Sequence, residues 1–147
     1  MPAKPLKLYA RDGDDMEVIS AYLQDSVAQI GDMVFLKQQY RFVMLVNRFC
    51  WEQEAPMRVR SALQISGVAS IQQRQLNLTR RDGIVSVLAA QFELKQSPSG
   101  VIQLVFSGGG EIRLEVEACE AILEDVTAPW AAASRPAHRI DHLMDKE

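Results

Sequence analysis

The chain holds 147 residues, 48% apolar and 24% charged, with a net charge of −3 and a pI near 5.4. That length fits one domain and can bury about two-thirds of the surface its unfolded form exposes, so a core needs no metal or disulfide staple. The acidic balance argues against a nucleic-acid partner gripped mainly through its phosphates.

Residues 5–10 read as a short strand, with Leu6 and Leu8 alternating against Lys7 and Tyr9. Asp14 followed by Glu17 matches an acidic capping box and predicts a helix over residues 15–24, whose apolar stripe is Val18, Ile19, Tyr22 and Leu23. From Val27 the period changes to two. Residues 30–36 read as a strand, interrupted or bulged at Gly31-Asp32, and residues 37–40 as a polar turn. Residues 41–51 form the strongest strand signal. Both faces are largely apolar, which predicts a central strand covered on both sides and paired as a hairpin with residues 30–36.

Residues 52–56 are a loop, and 57–65 a half-buried strand with Val59, Leu63 and Ile65 opposite Arg58, Arg60 and Gln64. Gly67 permits a bend before a strand at 68–73. Residues 75–83 are polar and end in a turn signal at Arg80-Arg81-Asp82-Gly83. Residues 84–94 read as a strand whose start is equally compatible with a helical turn. A turn at 96–100 leads to a strand at 101–107. Then Gly108-Gly109-Gly110 connects to an alternating strand at 111–118, a hairpin made by glycines that accept positive φ. Residues 120–126 extend that strand or add another.

The fold class implied is α+β, mostly β: a curved antiparallel sheet or partly open barrel of about seven or eight strands with one N-terminal helix packed on it. Residues 1–128 form the single domain and 129–147 a C-terminal tail. The first residues lack the apolar core of a signal peptide, and no apolar run approaches the ~20 residues of a membrane span. A cytoplasmic protein with reduced thiols follows as the expectation. Cys50 and Cys119 read as small buried hydrophobes, since neither sits in a CxxC motif or beside a histidine.

Few constellations carry chemistry. The triple glycine lacks the following helix that a phosphate loop needs. His138 and His142 have the i, i+4 spacing of zinc ligands, but they lie in a polar tail with no third ligand nearby. No metal or cofactor is expected. Asn47, Arg48, Trp51 and Glu52 end the most hydrophobic strand. Either Arg48 pairs with a core carboxylate while Trp51 caps the core, or the group lines a cleft. An arginine with an aromatic neighbour suits carboxylates, phosphates or peptide edges. Arg58 and Arg60 share one strand face, as do Arg113, Glu115 and Glu117 on another, and cross-strand ion pairs account for both sets.

Three stretches together carry a resemblance: residues 6–25, Arg41-Phe42 with residues 45–52 (Leu-Val-Asn-Arg-Phe-Cys-Trp-Glu), and residues 104–117 around the triple glycine. The chain resembles a family of small bacterial proteins known only as domain of unknown function 2948, over about residues 5–137. The resemblance implies a compact, cytoplasmic, single-domain protein and assigns no activity. Cys50 stands where a polar or acidic residue would be expected, so no nucleophile is implied there.

The function expected is a non-enzymatic binding or protein-interaction module, with Asn47, Arg48, Trp51, Glu52, Arg60 and Arg113 as candidate binding residues. A protein or peptide partner, or a second copy in a homodimer, is the expected occupant; nucleic acid and membrane are not. Two alternatives stay open. One is a small-molecule carrier or sensor with a cavity between helix and sheet, lined by Phe42, Met44, Phe92 and Phe106. The other is an enzyme built on Arg48, Glu52, Arg60 and Glu115, which requires a carboxylate titrating well above its ordinary range.

Overall fold

In the computed structural model, residues 4–132 are described. The elements in chain order are β1 (Lys7–Ala10), α1 (Gly13–Leu23), β2 (Val27–Gln29), β3 (Met33–Leu36), β4 (Arg41–Phe49), β5 (Met57–Ile65), β6 (Val68–Arg74), β7 (Ile84–Gln96), β8 (Ser99–Phe106), β9 (Glu111–Val116), β10 (Ala121–Asp125) and β11 (Trp130–Ala131). The α+β class and mostly antiparallel sheet expected from the sequence are present. The strand count is eleven rather than seven or eight. The surplus over eight is β2 and β11, three and two residues long and too short for alternation to register, and β10, which is a separate strand rather than an extension of β9.

All strands join one sheet in the order β1-β10-β5-β4-β2-β7-β8-β9-β6, with β3 beside β4 and β11 beside β5. The sheet is not closed; β1 and β6 are its ends. It curls far enough that Met44, Leu63 and Leu123 from one half share a single core with Ile102, Leu104 and Leu114 from the other. Helix α1 fills the curl through Met16, Ile19 and Leu23, all fully buried. Their i, i+3, i+7 spacing is one helical stripe, set one step aside from the expected one: Val18 points outward and is 49% exposed. Ser20 Oγ accepts the Ala90 N–H at 2.9 Å, satisfying a β7 donor with a helix side chain.

The helix starts two residues earlier than the sequence suggested. Asp12, in extended backbone, accepts the Asp15 N–H at 2.8 Å, and Asp15 returns a bond to the Arg11 N–H at 3.0 Å. The cap is therefore Asp12 rather than Asp14. The β3–β4 hairpin is as expected, pairing Met33–Leu36 with Arg41–Met44. The β8–β9 hairpin turns on Gly108 and Gly109, with φ of +79° and +86°, values that L-residues with a side chain rarely adopt. Trp130 and Ala131, expected to begin a tail, pair with Arg58 and Met57 on β5. His138, His142 and the rest of that tail lie outside the described residues. Among the described residues, no helix is long and apolar enough to cross a membrane.

Candidate functional site

Along β4 the core-facing positions are Phe42, Met44, Val46 and Arg48. The first three are apolar. The fourth brings a guanidinium to the end of the core with no exposed surface. Burying that charge is tolerable only with complete pairing, and the surrounding groups supply it. Arg48 Nη1 and Nη2 donate to Glu52 Oε1 and Oε2 at 3.0 and 2.9 Å, a bidentate fork. Nη2 also donates to both Asp125 oxygens at 3.1 Å, and Nε to Asp125 Oδ1 at 3.3 Å. The Phe49 carbonyl takes Nη1 at 3.3 Å, and the guanidinium lies 5.7 Å from the Tyr22 ring centre.

Asp125 links Arg48 to two further segments of the chain. It closes β10, and its side chain is 7% exposed. It accepts the Ser61 hydroxyl at 2.7 Å and the Leu6 N–H at 2.8 Å, so it ties β5 and the segment before β1 to Arg48. Burial works against the charged forms of both Glu52 and Arg48. For Glu52, the hydrogen bonds and charge of Arg48 outweigh it and hold the carboxyl below its usual range. For Arg48, the Glu52 hydrogen bonds and the two carboxylates outweigh it and raise the pKa. The Cys50 thiol is pushed up by burial and stays protonated at neutral pH.

A cleft of about 480 Å³ opens beside this network. Glu52, Asp125 and Cys50 line it, Pro5, Val59, Val126, Ala128 and Pro129 supply apolar walls, and Lys4 lines it too.

The six candidate residues fall in three places. Arg48 and Glu52 are together. Trp51 is beside them, packed edge-on to Phe49 at 4.7 Å, and its indole N–H donates to the Gln24 carbonyl at 3.0 Å, where α1 ends with an orphan acceptor. Asn47 and Arg60 sit on the opposite face of the sheet: Arg60 Nη1 donates to Asn47 Oδ1 at 3.2 Å, and Nη2 pairs with Asp32 at 2.9 Å. Arg113 is elsewhere, in a polar groove of about 320 Å³ with Glu17, Gln91, Glu93 and Gln103. So Arg48 is enclosed rather than presented to a ligand. The surfaces it leaves to the cleft are the outer sides of its carboxylate partners.

The residues proposed for a carrier cavity are placed differently. Phe42, Met44 and Phe106 are closed into the core, and Phe92 packs against it while edging the Arg113 groove. Of the residues proposed for an enzyme site, Arg48 and Arg60 face opposite sides of the sheet, and Glu115 is on β9, accepting from Ser70 at 2.8 Å. Glu52, the carboxylate beside Arg48, is shifted down rather than up. Ser61 and Asp125 were not among the sequence candidates. The available signal was parity: Asp125 follows Leu123 by two, so it continues that strand's buried side.

No curated protein and no solved structure matches this chain. Residues 6–138 match the family described as a protein of unknown function, DUF2948. The match spans most of the chain, which therefore belongs to the DUF2948 family.

Proposed function

We propose that the protein is a non-enzymatic binding module, and that the cleft beside Arg48 receives a donor-bearing side chain of a partner protein or peptide. The observation that carries this reading is the cleft itself: apolar walls converge on two carboxylates already locked in place by a buried arginine. Its volume lies in the ordinary range for ligand sites, roughly 300–1,000 Å³. Ionised carboxylates are acceptors only, so the floor suits an ammonium, guanidinium or amide N–H carried on an aliphatic stem. Glu52, with its side chain 28% exposed, retains acceptor capacity toward the cleft after its two bonds to Arg48.

The same electrostatics argue against general-acid chemistry by Glu52 and thiolate chemistry by Cys50. A carboxyl held low cannot donate a proton at neutral pH, and the Cys50 thiol is held in its unreactive form.

Titration of ¹⁵N-labelled protein with n-butylammonium and, separately, butyrate tests the reading. Saturable shifts at residues 50–53 and 126–128 with the cation alone, weakened by Glu52→Gln, are the expected result. Shifts confined to other residues, or stronger binding of butyrate, would overturn it.

A further inference from the structure

A second, smaller hollow of about 270 Å³ touches Glu52 between α1 and the loop after β4, and Ala21, Tyr22 and Trp51 complete its lining. The chain holds its two rings and its carboxylate in place. Trp51 packs against Phe49 with ring centres 4.7 Å apart, and its indole N–H is spent on the Gln24 carbonyl. Tyr22 lies beside the Arg48 guanidinium, 5.7 Å from its ring centre, and the same guanidinium grips Glu52 through both carboxylate oxygens. The loop itself is closed by the Trp51 N–H on the Phe49 carbonyl at 3.0 Å and the Gln53 N–H on the Cys50 carbonyl at 3.2 Å.

We propose that this hollow binds a methylated ammonium group, its charge beside Glu52 and its methyl groups against Tyr22 and Trp51. Charge selects a cation. Arg48 pairs with two carboxylates, so the network is negative by one charge. Glu52, with its side chain 28% exposed against 7% for Asp125, is where that surplus reaches solvent. An arginine beside an aromatic suits an anion when the guanidinium is presented; here it has no exposed surface, and the sign is reversed.

The rings select the methylated form. Aromatic faces attract cations through their negative charge density, most of all cations that shed water easily. A primary ammonium is strongly hydrated and brings three N–H donors, and Glu52 is the one charged acceptor lining this hollow. A trimethylated nitrogen brings no donor, and its methyl groups pack on ring carbon. The larger cleft differs in kind: there Asp125 adds a second carboxylate and the walls are aliphatic. Occupancy of one hollow does not require occupancy of the other.

Titration of ¹⁵N-labelled protein at constant ionic strength tests the proposal with three probes. These are choline, ethanolamine, which lacks the methyl groups, and 3,3-dimethylbutanol, in which carbon replaces the nitrogen. Choline is expected to give saturable shifts at the Trp51 indole N–H and the amides of residues 21, 22, 51 and 52, with 126–128 unmoved. It should bind roughly fivefold or more tightly than either analogue. Tyr22→Leu should weaken it by a similar factor with the far-UV spectrum retained; if that variant does not fold, the three-probe comparison decides alone. No saturable shift at these residues up to about 100 mM choline overturns the proposal. So does equal binding of the alcohol, which makes the hollow a reader of shape, or of ethanolamine, which means that methylation is not read. Choline shifts confined to 126–128 also overturn it, while leaving the larger cleft as a cation site. Where choline binds as expected, N-acetyl-trimethyl-lysine amide separates the two sources of the group. Tighter binding than choline assigns a modified side chain of a peptide, and weaker binding a free quaternary amine; either order upholds the site.

Discussion

Replacing Arg48 by methionine keeps an unbranched stem but leaves Asp125, with a side chain only 7% exposed, without its counter-ion. The Ser61 hydroxyl and the Leu6 N–H still bond Asp125, yet neither carries a charge. Breaking a buried pair from one side costs roughly 3–5 kcal/mol, and Arg48→Met is expected to lower unfolding stability by about that amount in urea titrations. Arg48→Met combined with Asp125→Ala should recover part of the loss, because the orphaned charge goes too. The same network predicts a pH dependence. The fold depresses the Glu52 pKa, so the unfolded chain binds the proton more tightly. The Glu52 contribution is therefore complete above the ordinary glutamate value near 4.3 and is lost as pH falls through the lower folded value. Glu52→Gln should flatten that part of the stability profile, measured between about pH 6 and pH 2.5. Arg48 was legible in the sequence because a charge interrupts an apolar alternation. Asp125 was not: it lies 77 residues away, and no local pattern records a partner at that separation.

At the element scale, the first turn of α1 depends on which aspartate caps it. Asp12 accepts the Asp15 N–H at 2.8 Å, so Asp12→Ala is expected to cost about 1 kcal/mol, while Asp14→Ala, an exposed position inside the first turn, should cost far less. Urea midpoints of the two variants against the parent decide it, and equal losses would return the cap to Asp14. The expected cap rested on Asp14 with Glu17, and Asp12 with Asp15 repeats that spacing two residues earlier. Spacing could not choose between them; the helix beginning at Gly13, directly after β1, does. Hairpins were more legible than the helix boundary, because a turn needs particular residues at fixed positions. Even there a glycine could mislead. Gly100 read as part of a turn, but it lies in β8, where an added Cβ would sit 2.7 Å from the Phe92 ring. Its role is close approach to β7, which sequence alone does not distinguish from a turn.

Across the whole molecule, the pairings that shape the sheet are those the sequence did not reveal. Hairpins such as β4–β5 follow chain order, but β1 pairs with β10 and β6 with β9, and these set the two ends of the curl. Such partners are chosen by which faces can share a core. Here the consequence is one core drawing on both halves of the sheet and on α1, so unfolding should be a single cooperative transition. Leu104 on β8 and Trp51 beyond the end of β4 test this from opposite sides. Leu104 is fully buried, and Leu104→Ala should cost roughly 2–5 kcal/mol from lost transfer energy and the cavity left behind. Trp51 packs on Phe49 and bonds the end of α1, so its fluorescence reports the β4 end. In a Trp130→Phe background, which leaves Trp51 as the single tryptophan, Leu104→Ala should move the fluorescence and far-UV urea midpoints together. A Trp51 transition that stays in place while the far-UV midpoint falls would mean that the two halves of the sheet unfold separately, and that the shared core does not couple them.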